Sequence, residues 1–102
     1  MPELNNGYAQ LINEDIRLSV LRILSEDAGY SHNTAIVKAA LASVGHRISD
    51  ERLTAQLEWL SEQELVKLEE SAGVTVVTLL NRGEEAAQGL IRVRGLARPR
   101  PE

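Results

Sequence analysis

A chain of 102 residues with a formal net charge of −4 and no cysteine makes one domain with a single modest core, and leaves too little material for an enzyme cleft between two lobes. The missing cysteines exclude disulfides, thiolate zinc sites and a cysteine nucleophile, and fit the reducing cytoplasm where the protein is expected to reside. The acidic balance weighs against a protein whose main task is to hold phosphates, and the aromatics Tyr8, Tyr30 and Trp59 offer little for stacking single-stranded bases.

No apolar run approaches the ~20 residues that span a bilayer, so no membrane association is expected, and Met1 to Asn6 lack the charged and apolar regions of a signal peptide. Residues 1–12 read as a flexible lead through Asn5-Asn6-Gly7, or as a backward extension of the first helix through Leu11 and Ile12. That helix is expected from Asn13, a capping residue followed by Glu14 and Asp15 at the positive end of the helix dipole. Ile12, Ile16, Val20, Ile23 and Leu24 form its core-facing stripe, and Gly29 ends it. Ser31 or Asn33 can cap a second helix running to about Val44, with Ile36, Val37, Ala40, Leu41 and Val44 as its buried face and Gly45 closing it. The connection Gly45-His46-Arg47-Ile48 leads into a third helix capped by Ser49, with Asp50 and Glu51 in its first turn and Leu53, Leu57 and Leu60 on one face.

Period 3.6 then gives way to period 2. Val66 and Leu68 alternate with Lys67 and Glu69, Val74 to Leu79 is rich in β-branched residues, and Ser71-Ala72-Gly73 supplies a turn, so a short hairpin is expected. Asn81 can cap a last helix through Glu84 to Ala87, with Gly89 its terminator. One core is expected from Ile16, Val20, Ile23, Ile36, Leu41, Leu53, Leu57, Leu60, Leu68 and Val76. The fold class is α+β, mainly helical with a small hairpin.

The stretch Leu57-x-x-Leu60, Leu65-Val66, hairpin, Leu79-Leu80-Asn81-Arg82-Gly83 resembles the winged helix-turn-helix families of bacterial regulators, of the MarR, PadR and ArsR types. It departs from them at Glu64, where those families usually carry glycine, and at Leu80, where they carry threonine. The resemblance implies a winged helix over residues 13–90 whose third helix enters the major groove of double-stranded DNA while the hairpin touches the flanking backbone, in a transcriptional regulator. It makes Lys38, Arg47, Arg52, Thr54 and Gln56 candidate DNA contacts, with Arg92, Arg94, Arg98 and Arg100 of the tail beside them. The groove-facing side would also present Asp50, Glu51, Ala55 and Glu58, and carboxylates repel phosphates and accept only from base donors such as cytosine N4. A second expectation therefore stands beside the first: a winged-helix interaction module that binds protein through this acidic face or through Leu11 and Leu18.

Residues 91–102 form a basic, proline-containing tail that alternates apolar and basic before its prolines forbid helix, and it reads as extended or disordered. Its functional readings are a basic arm on nucleic acid or a strand added to a partner. The run R-G-E-E-A-A-Q-G-x-I-x-V-x-G-x-x-R-P from Arg82 to Pro99 looks like the C-terminal pattern of small winged-helix proteins of Mu-like prophages, which implies a phage-related regulator or accessory protein. Leu11 and Leu18, seven residues apart, make a second apolar line on the first helix. Its first reading is burial under the C-terminal segment of the same chain and its second the seam of a homodimer, and a homodimer through the first helix and that segment is expected. His32 and His46 lack a ligand at helical spacing, the serines have no G-x-S-x-G context, and no glycine-rich phosphate loop occurs. No metal, cofactor or enzymatic activity is expected.

Overall fold

The computed structural model describes the backbone of residues 2–99 and the side chains of residues 7–99. The elements run α1 (Pro2–Ser25), β1 (Ser31–Asn33), α2 (Thr34–Ser43), α3 (Asp50–Glu62), β2 (Val66–Ser71), β3 (Val74–Leu79) and α4 (Asn81–Ala87). The strands form an antiparallel sheet of order β1-β3-β2. This is an α+β architecture compatible with a winged helix.

Helix α1 is the axis of the fold. It packs against α2, α3, β3 and α4, which is why Leu18 and Leu21 are buried together with Ile16, Val20 and Leu24. A helix covered on several sides becomes apolar around much of its circumference, and a single stripe read from the sequence accounts for only part of that surface. The helix begins at Pro2 rather than at Asn13. Asn13 lies in its interior, where its side-chain oxygen accepts from Arg52 Nη2 and Gln56 Nε2, both at 3.0 Å. At the other end α1 stops at Ser25, ahead of Gly29.

Strand β1 is an addition to the expected hairpin. Its register on β3 pairs Ser31 with Thr78, His32 with Val77 and Asn33 with Val76, and the hydroxyls of Ser31 and Thr78 share a 3.1 Å hydrogen bond. A strand this short shows no readable alternation. Asn33 ends it and caps α2, its side-chain oxygen accepting from the Ile36 N–H. Helix α2 buries Val37 and Leu41, whereas Ile36 and Val44 face solvent, so its apolar stripe is narrower than expected. Helix α3 begins as expected, with Ser49 Oγ accepting from the Arg52 N–H and Leu53, Leu57 and Leu60 buried. In the hairpin, Ala72 and Gly73 form the two-residue turn with φ of 52° and 78°. Val77 and Leu79 are the buried residues of β3. Successive side chains on a strand point to opposite faces, so Val76 is only half-buried and Val77 takes the core position assigned to it.

Three helices end in the same backbone arrangement. After α2, α3 and α4 the second residue past the cap donates to a carbonyl five positions back: His46 to Leu41, Leu65 to Leu60, and Leu90 to Glu85. The residue between must take a positive φ. Gly45 and Gly89 do so at 100° and 81°, and Glu64 does so at 60°. Glu64 is therefore a side-chain-bearing residue in a conformation that glycine adopts without steric penalty.

Helix α4 starts at Asn81, and its cap is Leu80, which makes no side-chain bond; Asn81 does not cap it. The Leu80 N–H donates to the Leu65 carbonyl at 3.1 Å, drawing the first turn of α4 onto the backbone entering β2. A Cβ at Gly83 would collide with the Leu65 carbonyl oxygen and stand 2.7 Å from Leu79 Cδ1. Beyond α4, residues 90–99 carry no helix or strand yet lie along α1 as a strap. Leu96 is buried, Ile91, Val93 and Ala97 pack on the core, and the Ala97 N–H donates to the Glu14 carbonyl at 3.3 Å.

Helix propensity alone makes Gly83→Ala stabilising by about 1 kcal/mol, whereas overpacking against a backbone carbonyl costs about 1–3 kcal/mol, so a lowered urea midpoint is expected. Glu64→Gly relieves a left-handed residue without touching the core, and the expected outcome is an unchanged fold with stability raised by up to about 1 kcal/mol in the same measurement.

Candidate functional site

The exposed side of α3 carries Asp50, Glu51, Arg52, Thr54, Ala55 and Glu58. It flanks an open groove of about 470 Å³ between the start of α2, α3 and the hairpin, lined by Thr34, Asp50, Thr54, Glu58, Leu68 and Thr75 among others. The turn ahead of α3 is held to α1 by His46 Nε2, 2.6 Å from Asp15 Oδ2, and Ile48 packs on the core behind it. Glu69 and Glu70 on β2 are exposed, with Lys67 Nζ 3.6 Å from Glu69.

The candidate DNA contacts divide by what holds them. Gln56 is 5% exposed; its Nε2 donates to Asn13 and its Oε1 accepts from Arg17, so it faces the interior and reaches no groove. Lys38 Nζ sits 2.8 Å from Asp50 Oδ1, each offsetting the other's charge. Arg52 Nη2 donates to Asn13 on α1. Thr54 and Arg47 are exposed on α3 and the turn before it, and Arg92, Arg94 and Arg98 are exposed on the strap. Arg100 lies outside the described residues.

A second surface forms where the strap crosses α1. Arg17, which no sequence pattern singled out, joins three elements: its Nε donates to Gln56 Oε1 on α3 and its Nη1 to the Gly95 carbonyl on the strap, both at 2.7 Å. The guanidinium carbon stands 4.1 Å from the Trp59 ring centroid, within range of a cation–π attraction. Burial lowers the Arg17 pKa, with the nearby Glu14 carboxylate opposing the shift, and the guanidinium stays charged at neutral pH. The backbone approaches Trp59 so closely that a Cβ on Gly95 would stand 2.6 Å from Trp59 Cζ2. A lone arginine on an amphipathic helix reads as a solvated residue. The available signals were an isolated tryptophan and a glycine within a basic tail, and neither points to Arg17.

An open groove of about 1100 Å³ runs between α1 and the strap. Arg22, Arg92, Arg94 and Arg98 line it with Leu11 and Leu18, and Glu14 and Asp15 also reach it. Leu18 is 3% exposed and Leu11 65%: the apolar line on α1 is split, one end covered within the chain and the other open. Among the described residues no cluster of acids and histidines could hold a metal ion, and no helix is long and apolar enough to cross a membrane.

Replacing Arg17 by Met keeps much of its length but leaves the buried Gln56 amide without a donor and the Gly95 carbonyl without its partner. A stability loss of about 1–3 kcal/mol is expected. It should come with faster amide exchange across residues 90–97 and altered Trp59 fluorescence, whereas a simple surface arginine would change none of the three.

No protein-family model and no solved structure matches the chain. It is 42% identical over 91 residues to the uncharacterized protein gp26 of Escherichia phage Mu, covering 89% of this chain and 94% of that protein. It is also 44% identical over 63 residues to an uncharacterized protein of Haemophilus influenzae, covering 62% of this chain and 61% of the other. The near-full-length match shows that the chain belongs to the family of phage Mu gp26.

Proposed function

We propose that the protein is a phage-related winged-helix module that docks a basic protein surface through the exposed face of α3 and the hairpin. The observation that carries this reading is the distribution of charge and hydrogen bonding on α3. Asp50, Glu51 and Glu58 point outward, while Gln56, the side chain best suited to reading adenine, is buried and bonded to Arg17 and Asn13. A helix laid in the major groove passes between two phosphate strands, and each outward carboxylate there adds repulsion where a lysine or arginine would release a counterion. The phage connection comes from the relative in Mu.

A second reading, a transcriptional regulator that binds double-stranded DNA as a homodimer, draws on the element order and on exposed Arg47 and the strap arginines. Fluorescence anisotropy with a generic duplex at low salt separates the two. Under the docking reading the wild type shows no duplex binding that depends on α3. The Glu51→Lys/Glu58→Lys variant gains binding that weakens steeply with salt, because the shape suits a groove and only the charge opposes it. Wild-type binding that Arg47→Ala and Arg52→Ala each weaken, with a flatter salt dependence, would establish the regulator instead.

A further inference from the structure

We infer that the acidic α3 face takes as its partner the arginine-lined groove of a second copy of this chain. The inference rests on reading that face as a protein-docking surface. The two surfaces are opposite in charge and share no lining residue. One carries Glu58 and Asp50, the latter paired with Lys38, with exposed Glu51 beside them on α3. The other carries Arg22, Arg92, Arg94 and Arg98, and none of these arginines forms an ion pair among the described residues.

The basic groove is anchored. The Gly95 carbonyl accepts from Arg17 and the Ala97 N–H donates to Glu14, so Arg92, Arg94 and Arg98 project from a strap whose backbone is already ordered, which lowers the entropic cost of binding. Its lining also decides the class of partner. Leu11, mostly exposed, and the carboxylates of Glu14 and Asp15 stand among the arginines. A phosphate backbone gains nothing from the leucine and is repelled by the acids, whereas a protein surface of mixed character satisfies both. The acidic face supplies that mixture. Half-buried Leu68 and exposed Ala35 line its groove beside Asp50 and Glu58.

Because unlike faces meet, the contact is heterologous, and it closes into a ring or extends as a chain according to the rotation it imposes.

Sedimentation velocity at varied salt tests this, using two variants of the full chain. Arg92→Glu/Arg94→Glu reverses the groove, and Glu51→Lys/Glu58→Lys reverses the face. The wild type is expected to self-associate at about 0.02 M salt and to dissociate by about 0.5 M, as screening shortens the reach of the charges. Each variant alone loses the faster species, and an equimolar mixture recovers it, because the unaltered face of one meets the unaltered groove of the other. Arg47→Glu/Arg82→Glu makes the same change in net charge outside the groove and keeps the association. A wild type that stays monomeric at low salt overturns the inference while leaving the docking reading intact, since that reading fails only through α3-dependent DNA binding. Loss of association in the Arg47→Glu/Arg82→Glu control to the same degree also overturns it, as does a groove reversal that abolishes duplex binding and leaves self-association unchanged.

Discussion

The Arg17 guanidinium is the contact on which the assembled domain depends. It is the donor for a buried glutamine amide on α3 and for a strap carbonyl, and it lies against the only tryptophan. A buried amide without a partner costs about 1–3 kcal/mol, a large part of the margin by which a small domain stays folded. The bond to Gln56 ties α3 to α1, while burial of Leu53, Leu57 and Leu60 decides which residues of α3 face outward. The bond to Gly95 holds the strap, and the strap covers the side of α1 that Leu18 occupies. One side chain therefore joins the elements that carry both charged surfaces.

A net charge of −4 conceals this arrangement. The carboxylates of α3 and β2 and the arginines of α1 and the strap sit on separate surfaces, and within about 10 Å, the reach of a charge at moderate salt, acids predominate on the one and arginines on the other. A chain-wide charge informs solubility and long-range encounter, while docking responds to the local field. The same separation makes the α3 face unlike a surface built to follow a phosphate backbone, although the order of helices and strands suits one.

Tyr30, Glu64 and Ala72 carry side chains at positive φ, and at Glu64 the packing compensates for the strain. Glu64 adopts a left-handed conformation so that Leu65 can turn back, donate to the Leu60 carbonyl and enter β2 with its side chain buried. The Leu65 carbonyl in turn receives the Leu80 N–H and leaves room only for glycine at position 83. The junction of α3, β2 and α4 is thus one linked unit of close backbone contacts.

Much of the fold was legible in the sequence because it is governed by local chemistry. Ser49 capping α3, Leu53, Leu57 and Leu60 on one face, the β-branched run of β3 and the glycine after α4 each act within a few residues, where periodicity and capping are visible. The start of α1 was misplaced for the complementary reason: Asn13 has the side chain of a cap, and only the arrival of Arg52 and Gln56 from α3 engages that side chain within a helix. Three-residue β1 exists because β3 offers it an edge, and the choice of Val77 over Val76 for the core was set by strand register. The site divides in the same way. By itself the sequence determined that the outer face of α3 is acidic and that the tail is basic, since both follow from residue type at helical or terminal positions. Only the tertiary structure decided that Gln56 turns inward, that Leu18 is covered while Leu11 is not, and that Arg92, Arg94 and Arg98 stand along α1, because each depends on contacts between residues far apart in the chain, above all those made by Arg17.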